Sequence, residues 1–144
     1  MAALPPGGTA IGAVAVPLNT RLTEENYQAL LSDSAARLVA TDTHLAVPFQ
    51  RLAKSVSFVC EVIVVDERSA LSTSLSGRMA EASNELTAWP TKPEDIAFWL
   101  YTSGSTGPPK GVMHRHQALI HTAVLFGQSV LRVSPEDVTF SAAK

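Results

Sequence analysis

Apolar residues along this chain gather in short blocks of strand or helix length, separated by polar connections that carry proline and glycine. Ile11 to Pro17, reading IGAVAVP, is a continuous apolar run closed by proline, and continuous rather than alternating apolarity suits a strand buried on both faces. Thr23 then offers an N-cap, with Glu24 and Glu25 in the first turn and Tyr27, Leu30 and Leu31 recurring at helical spacing before Ser32-Asp33-Ser34. The alternation continues through ARLVA at 36–40, a helix around His44 to Lys54 interrupted by Pro48, and the β-branched run Val59 to Val65. A weaker helical stretch covers Leu75 to Glu85, and the two prolines of TAWPTKPED mark a surface connection. Ile96 to Tyr101 returns to strand. Beyond the glycine-rich stretch 101–111, residues from about His116 to Gln128 form an apolar-rich helix, and PEDVTFSA adds one more short strand.

Strands separated by helical segments imply βαβ units with right-handed crossovers. The expected fold class is therefore α/β, with alternating βαβ units around a mostly parallel sheet. No internal repeat and no low-complexity tract interrupts the pattern. The final FSAAK follows a strand with no covering helix, which would leave a sheet edge open. The expectation is that both ends are cut from something larger, with an ordinary edge strand at either end as the alternative.

Composition narrows the class. At 144 residues the chain has the size of one domain, and 46% hydrophobic against 17% charged residues is a globular balance rather than that of a disordered tail. Eleven Lys and Arg against thirteen Asp and Glu give a formal net charge of -2, and the basic residues are scattered. A nucleic-acid partner is disfavoured, since such proteins usually carry a basic stripe. Cys60 is the one cysteine, which excludes an intramolecular disulfide. Its place in FVCEVIVV predicts a buried structural thiol, and a reducing, cytoplasmic setting fits best. The apolar start lacks a basic n-region and is broken by Pro5-Pro6-Gly7-Gly8, and no segment reaches the roughly 18 to 20 apolar residues of a membrane span.

The candidate chemistry lies in YTSGSTGPPKG, residues 101–111. An ordinary polar turn competes with an anion cradle. A strand running into a glycine-rich turn and then a helix points backbone N–H groups at a phosphate. Gly104, Gly107 and Gly111 permit close approach, Thr102, Ser103, Ser105 and Thr106 add hydroxyl donors, and Lys110 supplies a flexible positive charge suited to polyphosphate. The order is not that of the common P-loop, which needs a glycine before its lysine and Ser or Thr after it. Here Lys110 follows Pro109 and precedes Gly111, so a kinase or GTPase of that type is disfavoured.

YTSGSTGPPKGVMHRH resembles the phosphate-binding signature of the adenylate-forming superfamily, the acyl-CoA synthetases, peptide-synthetase adenylation domains and luciferases. GAVAVPLNTRLTEENYQALLSDSAARLVATD is similar to the superfamily's upstream segment, and PEDVTFSAAK to the downstream strand of its benzoate-CoA ligase branch. The resemblance implies a partial AMP-binding (adenylation) domain over residues 11–144, with residues 1–10 unassigned. It implies activation of a carboxylic acid, aromatic in this branch, by ATP and Mg2+ to an acyl-adenylate and then a coenzyme A thioester. By the same resemblance Thr102, Ser103, Gly104, Ser105, Thr106, Gly107 and Lys110 hold the β- and γ-phosphates, and His116 lies near the acyl or nucleotide pocket. The superfamily's Tyr-Gly-x-Thr-Glu segment, ribose-binding aspartate, hinge and C-terminal catalytic lysine have no counterpart before Lys144. The chain is therefore expected to be an incomplete part of the large N-terminal domain, inactive alone. The alternative is a non-catalytic nucleotide-binding fragment or truncated gene product.

Other features carry plainer readings. His114, His116 and His121 invite a metal, but no cysteine or carboxylate cluster completes a ligand set, and His114 and His116 at i, i+2 fall on different helix faces. Trp89 and Trp99 read as packing residues, with Phe98-Trp99-Leu100 a core strand. Glu24-Glu25, Glu94-Asp95 and Glu136-Asp137 read as solvated caps at the starts of helices or strands.

Overall fold

A computed structural model describes residues 10–65, 74–102 and 109–140. The chain divides into two compact units, one made of Asn19–Leu86 and the other of Met1–Leu18 with Thr87–Lys144.

In the Asn19–Leu86 unit, helix α1 spans Glu24–Ser34. Thr23 caps it, its hydroxyl accepting the Asn26 N–H at 3.3 Å, and the chain leaves through Ala35 in the left-handed region at φ 49°. The i, i+3, i+4 set Tyr27, Leu30 and Leu31 is buried, and the Tyr27 hydroxyl donates to the Asn19 carbonyl at 2.8 Å. Strand β1, Leu38–Thr41, points Val39 and Thr41 inward and Leu38 out. Helix α2, Thr43–Ser55, is capped by Asp42, whose carboxylate accepts the Leu45 N–H at 3.1 Å. Pro48 does not interrupt α2; the helix runs through it and buries Ala46, Phe49 and Leu52. Burial of that face outweighs the hydrogen bond that proline cannot donate.

Strand β2, Glu61–Val64, pairs parallel with β1 in the register Leu38↔Glu61 to Thr41↔Val64. The β1–α2–β2 path is the βαβ unit that the pattern predicts. Val62 and Val64 face the core with Val39, Val56 and Val59, and the Tyr27 and Phe49 rings meet at 4.7 Å. Helix α3, Leu75–Glu81, is shorter than the expected 75–85 stretch. The buried Ser74 caps it by accepting the Gly77 N–H, and Arg78 pairs with Glu61.

The second unit departs from the expected topology. Strand β3, Ile96–Thr102, forms as predicted, with Ala97 and Phe98 buried. Its partner is β4, Lys110–Arg115, and the pairing is antiparallel. The glycine-rich stretch thus joins two strands of a hairpin instead of leading from strand to helix. The fold is α/β, but the strand pairing is mixed rather than mostly parallel: β1 with β2 parallel, β3 with β4 antiparallel. A short link returns a chain directly to a neighbouring antiparallel strand, whereas a parallel return needs a crossover of a dozen or more residues.

The run Ile11 to Pro17 is not a full strand; it contributes one parallel bridge, Ala15 to Phe98. Ala15 accepts the Trp99 N–H at 2.9 Å and donates to the Ala97 carbonyl at 3.3 Å. Gly12, at φ 73°, lies so close under the Trp89 indole that a Cβ there would sit 2.7 Å from it. Trp89 covers Gly12 but is 64% exposed, so it is not the core packing residue expected. Helix α4, His116–Thr122, continues as a π-helical segment, Ala123–Gln128, which together cover the predicted helix. Thr122 donates to the Ala118 carbonyl and Ser129 to that of Val124, side-chain bonds that loosen regular helical pairing. The strand expected at PEDVTFSA is not formed among residues 135–140, where Asp137 instead accepts the backbone N–H and hydroxyl of Ser134. With no strand beside them, Val138 and Phe140 stand in solvent.

Candidate functional site

The hairpin brings the two ends of the serine, threonine and glycine stretch together. Thr102 ends β3, Lys110 begins β4, and they form the last rung of the pairing. Residues facing each other across an antiparallel pair hold their Cβ atoms about 4.5–5.5 Å apart, so the two side chains leave the hairpin from neighbouring points on one face. Both residues are exposed. Ser103, Gly104, Ser105, Thr106 and Gly107, the remaining expected phosphate-holding positions, lie outside the described residues.

Below that rung the strands present two faces. Thr102, Leu100 and Phe98 alternate to one side with Lys110, Val112 and His114, and the Phe98 ring and His114 imidazole stack at 4.6 Å and 9°. Trp99 and Tyr101 lie on the other side with Met113 and Gly111. A Cβ at Gly111 would meet both of those rings. Trp99 is therefore a half-buried member of the hairpin, not a residue of the deep core.

His116 is the first residue of α4. It borders an open cleft of about 470 Å³ with Thr91, Lys92, Pro93, Gln117, Ile120 and His121. The His116 N–H donates to the Asp95 carbonyl and the Gln117 N–H to that of Pro93, so this helix start is bonded to the preceding connection. His114 belongs to β4 and His116 to α4, so the two are not on one helix as the i, i+2 reading supposed. Among the described residues no group of three or more His, Cys, Asp or Glu could hold a metal ion.

Glu24 acts at its helix start as expected and also pairs with Arg51 at 3.2 Å, an exposed pair of small energetic weight. Asp95 accepts the Lys92 N–H just before β3. Cys60 is exposed, not buried; it borders a shallow cleft with Gln50, Ala53, Lys54, Glu61 and Val62. Sequence reasoning missed the tight aromatic cover over Gly111. The signal available was the alternation of Trp99 and Tyr101, two large rings two residues apart, ahead of a glycine that could face them.

The α/β framework and the hairpin that closes a glycine-rich loop belong to one class: the chain is a member of the AMP-binding enzyme family, whose sequence profile matches residues 6–144. Among its relatives, the benzoate–CoA ligase of Thauera aromatica is 42% identical over 133 residues, covering 92% of this chain and 25% of that enzyme. The solved anthranilate CoA ligase AuaEII, in complex with anthranoyl-AMP, superposes with a TM-score of 0.75 at 28% identity, over 84% of this chain and 24% of its own. ATP-bound MatB from Rhodopseudomonas palustris gives 0.70 at 29% identity, over 88% and 24%. The chain thus spans about a quarter of the length of these relatives. Among the described residues no helix is long and apolar enough to cross a membrane.

Proposed function

We propose that this chain carries the ATP-phosphate-holding part of an acid–CoA ligase acting on an aromatic carboxylic acid. In that reaction a carboxylate oxygen attacks the α-phosphorus of ATP, the bond to the bridging oxygen of the β-phosphate breaks, and pyrophosphate leaves with the electron pair. The thiol of coenzyme A then attacks the acyl carbon, AMP departs, and a thioester remains. The observation that carries this reading is the rung of Thr102 and Lys110 at the mouth of a loop rich in Ser, Thr and Gly.

A hydroxyl and an ammonium there, with Ser103, Gly104, Ser105, Thr106 and Gly107 between them, suit the β- and γ-phosphates. Their work is to hold the polyphosphate and to stabilise charge that grows on the departing pyrophosphate, not to move protons. His116 would border the acyl or nucleotide part of the pocket, and residues 11–144 would form part of the adenylation domain. Benzoate and anthranilate are the acids in the names of the Thauera and AuaEII enzymes, which supports an aromatic acid here. Magnesium would arrive with the phosphates and would offset the charge that builds on the departing pyrophosphate. An exposed free thiol suits a reducing, cytoplasmic setting.

Nucleotide binding without turnover is the second reading. ATP–pyrophosphate exchange with magnesium and a panel of aromatic and aliphatic acids separates the two. Exchange that depends on an aromatic acid supports the ligase, whereas MgATP binding without exchange supports the second reading. In either case Lys110→Ala should weaken MgATP binding by about tenfold or more, the scale of a lost hydrogen bond to a charged group, with little change in melting temperature. A folded chain that binds no MgATP would reject both.

A further inference from the structure

Gly111 sits directly after Lys110 in β4 and opposite Tyr101 in β3. A Cβ at residue 111 would lie 3.2 Å from Trp99 Cε3, 3.2 Å from Tyr101 Cε1 and 3.3 Å from Tyr101 Cζ. Those separations are tighter than ordinary van der Waals contact, and they come from two rings belonging to one strand face. The rings therefore close on a position that has no side chain to offer. Any side chain at that place, such as that of the flanking Lys110 or Val112, would require the rings to give by a few tenths of an ångström at its Cβ.

Strand register has a period of two, so a shift of β4 by one residue would turn Lys110 from the Thr102 face to the aromatic face. The hairpin already tolerates one irregularity, between Ile96 and Phe98 at its far end. Nothing in the apolar pattern of KGVMHR resists a second one near the loop, since Val112 and Met113 are both apolar and both exposed. Two features distinguish the observed register: the Phe98–His114 stack toward its far end and, beside the loop, the fit of residue 111 beneath Trp99 and Tyr101.

We propose that Gly111 is a positioning residue: with Trp99 and Tyr101 closed over it, it favours, at the loop end of the hairpin, the register that sets Lys110 beside Thr102. Its effect on nucleotide rests on the phosphate-holding role given to Lys110 above, while the register itself does not. Gly111 touches no reacting atom in this scheme. It acts through Lys110.

The test follows two quantities in the 144-residue chain: the cross-strand backbone NOE between Thr102 and Lys110, and calorimetric affinity for MgATP. Gly111→Ala should weaken that NOE, and Gly111→Val should abolish it. Affinity should fall about tenfold in Gly111→Val, as for loss of the Lys110 contact itself. Making room by adding Trp99→Val and Tyr101→Val to Gly111→Ala should restore the NOE and bring affinity back to within about threefold of the parent. An unchanged Thr102–Lys110 NOE in Gly111→Val overturns the proposal. So does a fall in melting temperature that tracks the loss of affinity and is not relieved in the triple variant, since that is the signature of a packing role alone. If the parent chain binds no MgATP, the phosphate reading fails and the NOE series still decides the register.

Discussion

Cys60 shows how one turn redirects a single side chain. The run from Phe58 to Val65 is almost wholly apolar, but Ser57-Phe58 forms a turn closed by the Val59 N–H on the Val56 carbonyl. That turn resets which positions face inward: Val59 is buried, Cys60 is not, and burial resumes at Val62 and Val64. An apolar run records burial in bulk and says nothing of phase where a turn intervenes. The folded chain should therefore titrate one thiol with a maleimide or disulfide reagent in the absence of denaturant. A thiol that reacts only after unfolding would contradict the exposed position. Thr23 was legible for the opposite reason: a cap is a local bond, made within three residues of itself.

Elements with an apolar or capping signal of their own were anticipated, although α2 runs through the Pro48 expected to interrupt it, whereas an element that owes its form to its partner was not. Helices α1 and α2 carry both a cap and a 3.6-residue apolar stripe, and β3 is a strand-length apolar block. Strand β4 carried no such signal, because its six residues owe their extended form to β3 across the glycine-rich loop. The sequence could place Thr102 and Lys110 at the two ends of that loop, but their meeting on one rung depends on the hairpin. In the other unit the joint between elements is the Tyr27–Phe49 contact, which ties α1 to α2. Phe49→Ala should cost about 3–5 kcal/mol, as for other large aromatic truncations in a core. Urea titration followed by circular dichroism reads the change. A loss below about 1 kcal/mol would mean that α1 and α2 are joined by something other than this pair.

At the scale of the whole molecule, the described surface carries an unusual share of large apolar side chains in residues 119–140. Ile120, Leu125, Phe126, Val130 and Leu131 are each more than half exposed, and Val138 and Phe140 are 96% and 91% exposed. Apolar exposure on this scale marks surfaces that associate with others or with themselves. The 144-residue chain should show concentration-dependent association in sedimentation velocity, and Phe126→Gln with Phe140→Gln should reduce it while leaving the far-ultraviolet spectrum intact. A monomer at every concentration would show that these side chains find cover in solution within the chain. The α/β class was legible at this scale because it follows from the count and spacing of elements. The sense of each strand pairing was not, since it is set by which neighbours meet.

The single bridge from Ala15 to Phe98 joins residues 83 positions apart, 98 minus 15, while the whole Asn19–Leu86 unit lies between them. During synthesis that inner unit emerges from the ribosome before the partner of Ala15 does. We expect the inner unit to gain protection first, with Ala15 waiting as an unpaired leader until β3 emerges. Pulse proteolysis of stalled nascent chains, each held by a linker long enough to span the exit tunnel after Leu86 or after Arg115, would follow this order. A leader already protected in the shorter chain would refute it. The cost of that wait is kinetic: a long loop must close before the bridge rewards it, so the outer unit should be the slower half of the molecule to assemble.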